Sequence, residues 1–443
     1  MPSTSATAVD LFKAKFPGKV TTPDSATEYE AENSCPWSQR CCAPAAAYIH
    51  PGTAGEVAEA LKIVKEIGCK FAIRTSGHNP NVGFSSTDEA GIVLDLRRLN
   101  SKELVQGNVA RLGAGNTWGG CGMGAFPNLH GLGTDNIEGF EVVLADGSIV
   151  NATPDSNVDL YKSLKGGAAN FAVVTRFDLK TQPLLKVQYT ISLYNPEDYI
   201  GIIDATVQVQ KSMETDPKIG LFTNFNAGFV AVILLYADQP TEPIEAFRPF
   251  YDLKSILTVA LPTTNGTLLS SLGLWDMIKD LKSARTIGTI TTKVSQDLYT
   301  DVYKAWLEIS QTLPEGAVLH HTIQPIGTAC IRAAENNGGN IMGLEEVPQC
   351  WWVFTCEWIK GACEDSVAEK AVETIVQKAE ASAKEKGLLL DFLAMNFAGA
   401  FQKTLRGYGE ESVKQMLETA AKYDADGVFQ HLQNDGFLLR NNV

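Results

Sequence analysis

The segment Gly113–Asn136, GAGNTWGGCGMGAFPNLHGLGTDN, holds eight glycines in twenty-four residues. Glycine lets a backbone turn with positive φ and bring its N–H groups close to an anion, so this composition points to a cradle for a phosphate-bearing group. Farther along, His320 and His321 are adjacent groups suited to proton transfer, and Gln324, Arg332 and Asn396 add donors of the kind that steady a developing negative charge. In a strand His320 and His321 point to opposite faces, so one of them faces a cleft and the other a core or solvent. Trp351, Trp352 and Trp358 follow in a strand pattern, with Trp352 and Trp358 on one face, where plain core packing is the commoner role.

The elements that must position these groups can be read from period and punctuation. A solvated helix at Ala8–Lys15 precedes a Cys/Pro-rich loop. Thr53 and Glu56 form a capping box ahead of Val57, Leu61 and Val64 at helical spacing. Short strands are expected at Lys70–Arg74, from Gly91 and from Asn108. From Lys186 the pattern becomes a strand, a helix from Pro196 to Lys211, and an apolar hairpin. Helices are expected at Pro243–Phe250, Gln296–Gln311, Asp365–Lys386 and Gly409–Lys422. Strands are expected at Val318–Pro325, Cys350–Trp358 and Gly387–Phe397.

With 443 residues and 44% apolar content the chain can bury two packed lobes. The net charge of −14, with no Lys/Arg-rich run, repels nucleic acid and anionic lipid. No apolar run reaches the roughly twenty residues of a membrane helix. The sequons Asn151-Ala152-Thr153 and Asn265-Gly266-Thr267, and the cluster Cys35, Cys41, Cys42 with Cys69 behind it, lead us to expect a glycosylated, disulfide-bridged protein of secretory-pathway origin, its leader absent from this sequence. The nine cysteines leave at least one thiol free.

Five ordered landmarks carry a family resemblance: Arg74-Thr-Ser-Gly-His78, VLDLRRLN, Gly113-Ala-Gly-Asn-Thr-Trp118, GLGTDNIEGFEVVLADGSIVNAT and DLYKSLKGGAANFAVVTRFDLKT. They resemble the FAD domain of the vanillyl-alcohol-oxidase-type (PCMH-fold) flavoproteins. The tail from FLAMNFAGAF to HLQNDGF resembles the C-terminal segment of the berberine-bridge-enzyme-like branch. The resemblance implies an α+β, two-lobed FAD-binding fold with an antiparallel-sheet substrate lobe. Residues 1–185 would form the FAD-type lobe, truncated near 118–131; residues 186–386 the substrate lobe; residues 387–443 a segment returning to the first lobe. It also implies that His78 stands where the family attaches the flavin, with Arg74 and Gly77 in the same motif, and that Gly113, Gly115 and Asn116 match a turn of the pyrophosphate cradle.

Three departures set this chain apart from that family. The long segment after the first cradle turn is nearly missing, and Cys121 lies at the splice, out of line with the family's attachment cysteine. KGGGxNFG becomes Lys165-Gly-Gly-Ala168-Ala169-Asn-Phe-Ala172. The Y-x-N-Y motif becomes Ala394-Met395-Asn396-Phe397, which keeps only the asparagine. Each lost charge-assisted hydrogen bond removes roughly 1.5–3 kcal/mol from flavin binding. The primary expectation is a flavin-free enzyme of fungal natural-product biosynthesis acting on small apolar substrates, a cyclase of hetero-Diels–Alder type that joins a tropolone-type quinone methide to a terpene. The alternative is an FAD-linked oxidase or dehydrogenase with the flavin on His78. A catalytically dead binding protein is a third reading. No metal site is expected.

Overall fold

In the computed structural model, which describes residues 3–105, 107–116, 124, 126–272 and 282–443, three sheets carry the chain. The first consists of β1 (Val20–Thr21), β2 (Ala47–Ile49), β3 (Lys70–Arg74) and β4 (Gly91–Asp95), in the order β1-β2-β4-β3, with β2 and β3 parallel to β4. Its crossover is the helix Ala54–Ile67. Thr53 Oγ1 accepts from the Glu56 N–H at 3.2 Å and the Glu56 carboxylate accepts from the Gly52 N–H at 2.7 Å, so the helix start is satisfied by its own sequence. Val57, Leu61 and Val64 then bury against Phe71, Ile92 and Leu94, with Phe12 of the helix Thr4–Lys15 and Phe429 of the C-terminal segment closing the cluster.

The second sheet is antiparallel: β5 (Lys102–Val105), β6 (Val109–Gly113), β7 (Ile137–Val143), β8 (Ile149–Ala152) and β9 (Val173–Lys180), in the order β5-β6-β9-β7-β8. The third has eight strands: β10 (Lys186–Tyr194), β11 (Ile219–Phe225), β12 (Val230–Tyr236), β13 (Ile256–Thr267), β14 (Ala284–Lys293), β15 (Ala317–Ile326), β16 (Gln349–Trp358) and β17 (Leu389–Leu390). Their order is β13-β10-β12-β11-β15-β16-β14-β17, and every pairing is antiparallel. The helices Tyr199–Ser212, Gln296–Ser310 and Asp365–Glu385 bury one face of this sheet in a core that includes Phe225, Val232, Trp306, Trp352 and Ile375.

Two expected elements differ. Pro243–Phe250 is two short turns, Glu245–Phe247 and Arg248–Tyr251, because Pro249 lacks the N–H that would continue a helix. Gly387–Phe397 pairs only through β17. Phe392 then turns away to pack on Trp351 and Tyr408, and Met395–Phe397 is a 3₁₀ turn. The helix Thr328–Asn336 went unread in the sequence. The expected disulfides also give way: the eight described cysteines are free thiols, with Cys69 in the core under β3 and the Cys41 thiol donating to Asn79 O at 3.6 Å. No helix among the described residues is long and apolar enough to cross a membrane.

A buried ionic cluster ties the parallel sheet to its loops. Arg74, 1% exposed, donates to Asp95 at 2.7 Å and to the carbonyl of Glu32 at 2.7 Å, pairs with the Glu32 carboxylate, and lies 4.9 Å from the ring centre of Tyr48. Burial pushes the Asp95 carboxyl up, but Arg97 and Arg74 outweigh it and hold the group below its usual range. Removing one partner of such a set strands a buried charge. Arg74→Leu is therefore expected to cost about 3–5 kcal/mol, read from the urea midpoint at constant m-value.

Candidate functional site

The cradle motif is engaged with its own protein. Gly77 takes φ +73°, the left-handed conformation that glycine supplies at least cost, and its carbonyl accepts from Trp37 N–H at 2.9 Å. His78 is exposed and lies flat on the Trp37 indole, centroids 4.4 Å apart at 12°. A Cβ on Gly113 would overlap the Leu99 carbonyl, and one on Gly115 the Leu96 carbonyl, so both glycines are required by backbone packing alone. The Asn116 side chain closes its own turn, donating to Gly113 O and Ser101 O. Arg74 is consumed by the ionic cluster described above.

The remaining lining tells the same way. Ala168 sits at φ +58°, a left-handed conformation that costs a non-glycine residue about 1–2 kcal/mol, and it adds a methyl group where the family pattern has glycine. The turn around it is filled from within: Tyr408 donates to Gly166 O at 3.3 Å, Asn170 to Gly167 O at 2.8 Å, and Lys165 to Asn337 O at 3.2 Å. One observation points the other way. The hydroxyls of Ser85, Ser86 and Thr87, just beyond His78, are buried with no hydrogen-bond partner among the described residues. The spliced stretch at 117–123, with Cys121, lies outside the described residues.

The second constellation follows from strand register. On β15, His320, Thr322 and Gln324 share one face, while His321 and Ile323 share the other. Val318 pairs with Glu357 on β16, and Glu357 pairs with Arg285 on β14, so the period of two brings Arg285, Glu357 and His320 to one surface. His320 Nε2 lies 3.6 Å and Arg285 Nε 3.4 Å from the same Glu357 oxygen. On the other side, Asn224 of β11 donates to His320 Nδ1 at 3.1 Å and to Thr322 Oγ1 at 2.8 Å. An accepting Nδ1 leaves the neutral ring's proton on Nε2, facing the carboxylate. Burial pushes the Glu357 carboxyl up, but His320 and the Arg285 charge outweigh it, so the group stays ionised.

The two constellations meet. Arg285 also lies over the Trp37 ring, at 4.1 Å, and its backbone exchanges hydrogen bonds with Ser38 Oγ at 2.9 and 3.1 Å. His78, Trp37, Arg285, Glu357, His320 and Asn224 therefore form one continuous chain of contacts.

Of the residues singled out in the sequence, the structure places His320 in this chain and Gln324, which is buried, on the same sheet face. It places three elsewhere. Arg332 is on the solvent side of its helix, paired with Glu346 at 2.5 Å. Asn396 is exposed on the 3₁₀ turn. His321 lies in the helix-covered core, stacked on Phe225 with Trp306, Trp352 and Phe354 around it, and neither ring nitrogen has a partner among the described residues. Glu357, Arg285, Asn224 and Trp37 went unread. The only signal for Glu357 was its position beside Trp358 in a strand pattern.

A family model described as an FAD binding domain matches residues 45–121. An FAD-dependent monooxygenase of Arthrobotrys oligospora is 33% identical over 439 residues, covering 93% of this chain and 85% of the relative. The bifunctional solanapyrone synthase of Alternaria solani is 28% identical, covering 89% and 82%. The solved glucooligosaccharide oxidase of Acremonium strictum, whose FAD is 6-S-cysteinyl and 8α-N1-histidyl, superposes with a TM-score of 0.80 at 17% identity, covering 95% of this chain and 97% of its own.

Two outcomes follow from this geometry. Ala168→Gly is expected to stabilise the protein by about 1 kcal/mol, seen as a higher denaturation midpoint. Burial, then the neighbouring His320, lowers the His321 pKa from 6.5 to about 3. The unfolded chain then binds a proton that the folded one refuses, so stability falls as pH drops through the window from 6.5 towards 3, by up to about 1.4 kcal/mol per unit. The Tm should decline from pH 7 to pH 5, and His321→Phe should flatten that decline, with His50 and His130, both also lowered first by burial, supplying the residual slope.

Proposed function

Because this chain belongs to the berberine-bridge-enzyme-like family of FAD-linked flavoproteins, whose relatives are enzymes, we propose that it is an enzyme whose working centre is the His320–Glu357 pair, used for non-redox ring formation. The observation that carries the reading is the pairing of an ionised carboxylate with a tautomer-set imidazole on the sheet face opposite the helices. In this arrangement Glu357 accepts a proton from a substrate hydroxyl. The acid so formed passes that proton to a leaving hydroxyl that His320 Nε2–H holds by a hydrogen bond, so water departs and the carboxylate is restored. Loss of water across a hydroxybenzyl unit yields a quinone-methide diene, and addition of an alkene to it closes a ring with no net oxidation. Arg285 keeps the carboxylate ionised, and Asn224 keeps the ring proton on the working side. The finer form of the proposal joins a tropolone-type quinone methide to a terpene.

A second reading keeps the family's redox chemistry, which bound FAD would supply, with His78 as its attachment residue. It is favoured by the exposed imidazole of His78 and by the unpartnered hydroxyls of Ser85, Ser86 and Thr87.

Absorption between 350 and 500 nm, before and after acid precipitation, separates the two. Under the first reading the folded protein is colourless and remains so after incubation with FAD; a flavin band that travels with the pellet establishes the second. In parallel, 18O exchange of the benzylic hydroxyl of an ortho-hydroxybenzyl alcohol reports dehydration directly. His320→Ala and Glu357→Gln should each slow it by about 10²–10⁴-fold, and exchange indifferent to both variants would remove the pair from the mechanism.

A further inference from the structure

We propose that the sheet face running from Asn224 towards β10 is a subsite for an extended hydrocarbon arm, so that the substrate is amphipathic: an ionisable phenol or enolised dicarbonyl head joined to an apolar chain. The proposal rests on the proton-transfer reading of His320 and Glu357 and names the substrate class of that site.

The register carries the argument. Asn224 on β11, which holds His320, lies opposite Ala231 on β12, and Ala231 lies opposite Leu193 on β10. Two residues along, Phe222 lies opposite Ile233, and Ile233 opposite Ile191. Leu235 continues the row. The polar pole at His320 thus passes directly into aliphatic side chains, with no charged residue at these positions.

Burial divides the two faces of the same strands. Val230, Val232 and Phe225, on the helix side, are fully buried, whereas Ile191, Leu193, Ala231, Ile233 and Leu235 are only half-buried. An aliphatic row that still meets water gains free energy when an apolar group covers it. Three interstrand spacings separate β15 from β10, about 14 Å, which is a tail's length rather than a methyl group's. One feature selects a substrate arm as the occupant: the row begins at the acid–base pair, where Asn224 both holds His320 and lies opposite Ala231. A head bound at His320 would direct its chain along the row, across β11 and β12.

A series of 4-alkylphenols from methyl to decyl, titrated into the full chain by calorimetry, tests the subsite. The dissociation constant should fall about fourfold per added methylene and level off once the chain outruns the row. Ile233→Asn and Leu193→Asn should flatten this dependence and leave the affinity for phenol itself unchanged. Phenol binding with no chain-length dependence overturns the subsite, as does a dependence that survives both variants. Phenol affinity indifferent to His320→Ala and Glu357→Gln overturns the proton-transfer reading instead, and a chain-length slope that persists there but vanishes in Ile233→Asn still supports the subsite.

Discussion

The stack of His78, Trp37 and Arg285 is the contact on which the site depends. Trp37 donates its backbone N–H to Gly77, and Arg285 is pinned to Ser38 through both its N–H and its carbonyl. Gln39 N–H reaches Ser283 O one step farther on. Three consecutive residues, Trp37 to Gln39, thereby stitch the loop after β3 to the start of β14. A guanidinium held between an indole and a carboxylate has little freedom, so the Glu357 carboxylate is held in turn. The geometry at His320 is a consequence of that stitch as much as of β15 itself.

Electrostatics are spent differently in the two halves. Around the parallel sheet, Arg74, Arg97, Asp95 and Glu32 neutralise one another in a place where each alone would be costly. In the large sheet the arrangement is asymmetric. One histidine of an adjacent pair is supplied with an amide and a carboxylate, and the other is buried among aromatic rings with nothing to bond. The alternation of a strand enforces this contrast, because with His321 turned to the helices His320 must lie on the opposite face. The buried His321 lowers stability at low pH.

The retained glycines carry less functional weight than their number suggests. Gly113 and Gly115 are fixed by the carbonyls of Leu99 and Leu96, a requirement that would outlast any ligand. Ala168 shows the converse: its backbone is left-handed although alanine does not favour that conformation. The fold is therefore preserved by packing, while the lining of the cradle has been free to change.

Local signals determined a good deal from the sequence alone. The Thr53–Glu56 capping box, the helical spacing of Val57, Leu61 and Val64, and the apolar run Cys350–Trp358 each depend on residues within one element, and each formed as its pattern dictates. The ordered family landmarks fixed the α+β architecture because they span nearly the whole chain. Tertiary structure alone decided the site. Glu357 meets His320 and Arg285 only across strand pairings that join residues far apart in the chain, and no local pattern encodes that register. Which histidine lies away from the helices depended on which face of the sheet the helices cover. That choice is made by the summed burial of many apolar side chains, and it leaves no mark at the polar positions whose surroundings it sets.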